Sequence, residues 1–455
     1  MMRDVAAFAL VAAVAACSRT TARGTASNEA VLVYGQQDNG GIRLHAAGES
    51  GQAQPVALTP RGQRAVYCGA LPGRWVIWAS TDTDFVLTSL HAVNADGTGA
   101  VDLGPIASSL YRWPKGAWAT ADGAVVVQAL RLDGSSDELL IARGGTVVPL
   151  APGAFLAASG DRVAYLAHRG SKTAAVGDVR SIRTDGTGAI ALGGGDRHDR
   201  FHGAAGGAIL LTTQAAGVRL VALDGTLLRE RPGSTGLLFQ KGMLVAGRGD
   251  GFELLDRDLS ATPLSLASGA KVLALLDDGR VAAHLAGAGV VAAGARDSTV
   301  LDGFPSGSAF GARQSGDRLV FTVDGGGGSV LRSAGLDGSG ARTIAESHDR
   351  AEVVLAAPLR DGRLLFSRTG GEEAGSQLSL AAVDGSGPRP LGDDASGTLR
   401  ALDQDLGGLT AAGRVVFEAE LPGGHGPRLF VAEPGGGVRA VTGDGDFATF
   451  AAILQ

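Results

Sequence analysis

Lysine is nearly absent from this 455-residue chain: it stands only at positions 115, 172, 241 and 271, and the rest of the 40 basic residues are arginine. Against 46 acidic residues this leaves a formal net charge of −6 and a pI near 5.8, which excludes the basic stripe that a nucleic-acid partner requires. The arginine excess, beside abundant alanine and glycine, reads as the codon bias of a GC-rich genome rather than as function. Cysteine is scarcer still, at 17 and 68 alone. Long apolar runs are missing as well. The unbroken run from Val5 to Ala16 is too short to span a bilayer, and elsewhere turn formers interrupt every apolar run before three helical turns, which excludes helical repeats. Nucleophile elbow, His-Glu-x-x-His helix, Walker loop and paired Cys-x-x-Cys are all absent, and no non-repeat region remains to hold a catalytic domain.

What the chain has is glycine, 72 residues of it, spread over the ends of short apolar runs rather than gathered in a linker. The stretch Arg363 to Gly392 shows the unit. Arg363 to Arg368 is a short apolar run bounded by turn formers, and Gln377 to Ala381 alternates in the period of a strand with one buried face. Asp384-Gly385-Ser386-Gly387 then reverses the chain into an edge strand carrying Pro388 and Pro390. The reversal recurs at Asp96, Asp185 and Asp337, shortened at Asp224, and a second signature, a turn followed by Arg and an apolar triplet, recurs at Arg162, Arg318, Arg363 and Arg414. Ordered together, these give units starting near Ala30, Arg74, Ala124, Arg162, Ala208, Met243, Arg280, Arg318, Arg363 and Arg414. One more apolar segment between units makes four strands per repeat, and a period of roughly 40 to 50 residues with four strands is that of a β-propeller blade. The predicted fold is therefore all-β, a propeller of four-stranded antiparallel blades. Ten repeats are counted, with eight or seven as alternatives because propellers typically have about 4 to 8 blades. The final run, Phe447 to Leu454, has no unit after it and is expected to complete the first blade.

These repeats resemble the TolB-like propellers, related in style to WD-type propellers. Trp118-Ala119-Thr120-Ala121-Asp122-Gly123 is similar to that family's Trp-Ser-Pro-Asp-Gly turn, and the four Asp-Gly-Thr/Ser-Gly turns match its blade ending. The likeness covers about Ala30 to Leu454. It implies a platform that engages other proteins.

Three regions are expected: residues 1–17 a signal peptide, 18–29 a flexible tether, and 30–455 the propeller. The apolar run ends in Val14-Ala15-Ala16-Cys17, which resembles the bacterial lipobox and implies acylation of Cys17. Cys68 is then left without an intramolecular disulfide partner and reads as a small buried hydrophobe. The expected address is the cell envelope, as an outer-membrane-anchored lipoprotein facing periplasm or surface. Two sets of residues are candidates for ligand contact. Tyr111 and Trp113 crowd one segment of an aromatic-poor chain and suit a sugar or peptide, or else Trp113 covers a blade edge. Asp196, His198, Asp199 and His202 form the most polar cluster and read as a solvated turn, or as metal ligands. The expected function is a monomeric, non-enzymatic scaffold without cofactor, binding an envelope protein, peptide or glycan. The alternatives are a metal-assisted polysaccharide lyase or hydrolase using the 196–202 loop, and a sugar-binding adhesive protein using Tyr111 and Trp113.

Overall fold

The structure is a computed structural model that describes residues 29–38, 41–51, 54–167, 177–194, 199–304, 307–325, 327–347, 353–359, 362–369, 376–390, 400–401, 408–410, 412–420, 427–433, 437–442 and 448–454. Among them there is no helix. The strands form ten four-stranded antiparallel blades, and the fold is a β-propeller. The chain divides into two compact units, residues 1–232 with 448–455 and residues 233–447.

The first unit holds five blades. Blade 1 takes Ala448–Leu454 as its first strand, followed by Val31–Asp38, Gly41–Gly48 and Val56–Ala57, so the last strand of the chain completes the first blade. Blades 2 to 5 are uninterrupted meanders over residues 64–105, 111–152, 154–191 and 200–231. The second unit holds blades 6, 7 and 8 over residues 234–264, 271–302 and 308–346. Blades 9 (353–390) and 10 (408–440) follow and share one sheet through the short bridging strand Arg400–Ala401. First strands run side by side between blades 1 and 2, 2 and 3, and 4 and 5 of the first unit and through blades 6 to 9 of the second.

The repeat signatures are explained by the bonds they make. In each Asp-Gly reversal the aspartate carboxylate accepts from the residue two places on: Thr98 N donates to Asp96 Oδ1 at 2.8 Å and Thr98 Oγ1 at 2.6 Å, and Thr187, Ser339 and Ser386 repeat the backbone bond. Gly97 has φ of 82° and Gly186 of 83°, a region that only glycine enters without strain. The two bonds from Thr98, the hydroxyl first and then the backbone N–H, hold the Asp96 carboxyl below its ordinary pKa. The recurring arginine opens or immediately precedes the second strand, and in blades 4 and 7 it ties the blade to the next. Arg162 Nε donates to Ser181 Oγ at 3.0 Å and to Leu223 O of blade 5 at 2.8 Å, while Arg162 Nη2 reaches Gly188 O. Arg280 of blade 7 donates likewise to Leu336 O of blade 8 at 3.0 Å. Second strands contribute aliphatic side chains to cores lying between blades, as Ile77, Val125 and Val127 do between blades 2 and 3.

One irregularity recurs. In nine of the ten first strands the register slips by an extra residue against the second strand. Such a bulge bends the strand and re-aims a side chain. The bulged residue is Ala451 in blade 1, Cys68 in blade 2, Leu156 in blade 4 and Leu273 in blade 7, all turned into or against a core. Cys68 is buried as expected, and burial pushes its thiol far up from the ordinary pKa, so it is inert.

Candidate binding surface on blades 2 and 3

Blade 3 departs from that pattern. Its first strand, Tyr111–Ala119, carries two bulges, one at Trp113 and one at Lys115. Lys115 is fastened: Nζ donates to Asp137 Oδ1 at 2.6 Å, and Asp137 also accepts from Gln128 Nε2 at 2.8 Å. Trp113 instead points outward, with 49% of its surface exposed and a φ of 49°. A bulky residue at positive φ is strained by about 1–3 kcal/mol and persists only where its surroundings hold it.

The holding partner is Phe85. It sits in the turn between the second and third strands of blade 2, also at positive φ (60°), and its ring stacks on Trp113 with centroids 5.6 Å apart and planes 19° from parallel. Asp82 fixes that turn, its Oδ1 accepting from Asp84 N and Val86 N, both at 2.9 Å. The Arg64 guanidinium lies 6.0 Å from the centre of the Phe85 ring, and Nη1 donates to Thr83 O at 3.2 Å. Leu110, just before the strand that carries Trp113, and Leu132, just after the second strand of blade 3, are also exposed and are joined by a backbone bond, Leu132 N to Leu110 O, at 2.6 Å. The result is an aromatic pair held in two strained conformations, with Trp113 and two leucines exposed. Phe85 escaped the sequence reading. Its signal was the turn Asp82-Thr83-Asp84-Phe85, a large aromatic where a polar residue is usual.

The other sequence candidates are placed differently. Tyr111 is 2% exposed, so it belongs to the core between blades 2 and 3 and offers no contact surface. Trp118 is half-buried and stacks on Phe155 at 3.9 Å. Asp196 and His198 lie outside the described residues. Asp199 and His202 do not sit in a solvated turn, because strand Arg200–Ala205 of blade 5 already begins between them. Asp199 is fully buried, its carboxylate so close to Gly193 that an added Cβ there would lie 1.7 Å from Oδ2. His202 occupies the bulge of that strand, with Nε2 2.8 Å from Thr212 Oγ1; burial first, and then the Arg200 charge, push its pKa down to about 4. The pair is therefore a structural element of blade 5. Among the described residues no three His, Cys, Asp or Glu side chains are grouped as a metal would need.

A polar cleft of about 470 Å³ opens in the second unit between blades 7 and 8, lined by Asp278, Arg280, Asp317, Arg318, Asp337 and Ser339 among others. It lies where the turns before the second strands of blades 7 and 8 meet the Asp337 reversal. Its arginines are committed, Arg280 to Leu336 O and Arg318 to Ser333 Oγ at 2.6 Å and Gly340 O at 2.5 Å.

No protein-family model matches the chain, and no curated protein matches it. Among solved structures it is similar to the tricorn protease, at 12% identity over 91% of this chain and 45% of that one, with a TM-score of 0.27. It is also similar to a prolyl endopeptidase, at 13% over 94% and 59% with a TM-score of 0.34, and to an oligogalacturonate lyase in complex with manganese, at 11% over 88% and 96% with a TM-score of 0.32. The chain thus spans less than half of the tricorn protease. At such identities and scores the likenesses say nothing of activity.

Proposed function

We propose that this chain is a TolB-like propeller that serves as a binding scaffold at the bacterial envelope, anchored through lipid on Cys17, and that it engages a protein or peptide through the Phe85–Trp113 surface. One observation carries the reading: of the bulged residues, Trp113 is the one held outward, exposed and strained against a second strained aromatic. Large aromatics at exposed positions supply contact area at low conformational cost and dominate interface energetics. The anchor and the address rest on the residues Val14-Ala15-Ala16-Cys17. A glycan is the second occupant for which stacked rings are suited. The metal-assisted lyase or hydrolase alternative would need Asp199 and His202, which are buried and half-buried in blade 5, together with Asp196 and His198, which lie outside the described residues.

The test is retention from envelope extract on an immobilised chain lacking residues 1–28, beside the same chain carrying Trp113→Gly. A partner held by the first and lost by the second supports the proposal. Equal retention by both refutes the assignment of this surface. A glycan array run in parallel reassigns the ligand class if sugars, and not proteins, discriminate the two.

A further inference from the structure

Blade 2 holds an arrangement that none of its sequence motifs announces. Three consecutive strands, Trp75–Thr81, Leu87–Asn94 and Val101–Pro105, bring together Ser80, His91 and Asp102, with Ser80 opposite Ser89, Trp78 opposite His91 and His91 opposite Asp102. Ser80 Oγ lies 3.2 Å from His91 Nε2, and His91 Nδ1 lies 3.5 Å from Asp102 Oδ1. We propose that Ser80, His91 and Asp102 form an acyl-transfer relay that hydrolyses carboxylic esters with good leaving groups. The proposal concerns blade 2 alone and stands independently of the binding surface.

The order of contacts is the one that nucleophilic catalysis needs. A carboxylate only accepts hydrogen bonds, so Asp102 favours the imidazole tautomer with its proton on Nδ1; the Nε2 lone pair then faces Ser80. The imidazole is fixed on its other side by Trp78, whose ring stacks on it at 4.1 Å and 24°. Asp102 is fixed by Gly104 N, which donates to the same Oδ1 at 3.0 Å. Burial lowers the imidazole pKa and the Asp102 charge opposes that shift only in part, so the ring is neutral at pH 7 and Nε2 can accept a proton. The site is open to solvent on the Asp102 side, where that side chain is 69% exposed.

The chemistry balances with an ester and water alone. The Ser80 hydroxyl oxygen bonds to the ester carbonyl carbon while its proton passes to His91 Nε2. The carbon–oxygen bond to the leaving alcohol then breaks, and the imidazolium returns the proton to that alcohol. Water repeats the sequence on the acyl-serine, giving up a proton to Nε2, and releases the acid with Ser80 restored. Thr88 Oγ1, exposed and 3.0 Å from Ser80 Oγ, can turn from the Ser80 carbonyl to the developing oxyanion. The backbone amides around Ser80 are taken up by strand pairing. One hydroxyl therefore replaces the usual pair of amides, each worth roughly 10²–10³ in rate, which is why the substrates are restricted to activated esters.

The experiment uses the full chain with p-nitrophenyl acetate and a fluorophosphonate probe. The expected result is turnover above buffer and probe attached at Ser80, both abolished in Ser80→Ala at an unchanged melting temperature. Asp102 acts as a positioning residue, so Asp102→Asn lowers kcat at least about tenfold with KM unchanged, and Asp102→Glu restores part of it. No turnover above buffer, probe attached elsewhere, or wild-type turnover in Ser80→Ala overturns the proposal.

Discussion

Removal of residues 448–455 takes away the first strand of blade 1 and nothing else. Six residue pairs join that strand to Val31–Asp38, from Val31 opposite Leu454 to Gln36 opposite Ala448. Leu454 is buried and Phe450 and Ile453 are half-buried. At about 1.5–3 kcal/mol for a fully buried side chain and about half that for each of the others, the apolar loss is about 3–6 kcal/mol. The deletion also uncovers Leu32, Val33 and Tyr34, each now at most 1% exposed, and leaves the Val31–Asp38 edge unpaired. A typical domain has about 5–15 kcal/mol in all, so the truncated chain should melt well below the full one, and its urea midpoint should fall in step. If the two chains share one melting temperature and one midpoint, the last strand contributes nothing to blade 1 and the reasoning fails.

Four further outcomes are expected. His202 has a folded pKa near 4 against an unfolded value of about 6.5, so between those values the unfolded chain binds a proton that the folded chain refuses. Stability is therefore lost as pH falls from 6.5 to 4, by about 2–3 kcal/mol between pH 7 and 4.5, and urea titrations of His202→Gln should show that loss largely removed. Gly193→Ala drives a Cβ into the Asp199 carboxylate and should cost about 1–3 kcal/mol or more, whereas Gly194→Ala, whose Cβ would stand 3.9 Å from the nearest Asp199 oxygen, should melt nearly as the wild type does. Cys17→Ala should move the chain from the carbonate-washed membrane pellet to the soluble fraction, since stable anchoring needs two or more acyl chains at roughly 0.8 kcal/mol per buried CH₂. Trp113→Gly gives up a stack of about 0.5–1.5 kcal/mol and relieves strain of similar size, so its melting temperature should hardly change.

The repeat was legible because each of its signatures does local work. Asp-Gly-Thr/Ser reversals require their own residue types, and the second strands at Arg162, Ala208, Met243, Arg318 and Arg363 start where the sequence units start, with the others displaced by one residue. Ten blades follow from counting those starts. The role of the arginine was not legible, because Leu223 O and Leu336 O lie in the following blades, 61 and 56 residues on from Arg162 and Arg280. The candidate sites were harder still. A bulge leaves no mark in composition, so Trp113 exposed, Cys68 buried and His202 half-buried look alike as residues of short apolar runs, and only the packing separates them. Tyr111 seemed part of an aromatic cluster because residues two apart on a regular strand share a face, yet the bulge at Trp113 turns that ring outward while Tyr111 stays in the core. Ser80, His91 and Asp102 meet only through strand register.

The proposed role of the Phe85–Trp113 surface is tested most directly by the affinity of a protein retained from envelope extract for the wild-type chain and for Trp113→Gly, with melting curves of both. A central aromatic contact carries about 2 kcal/mol or more of binding, so the predicted result is a loss of about thirtyfold or greater at an unchanged melting temperature. Equal affinities for the two chains, with both folded, would contradict it.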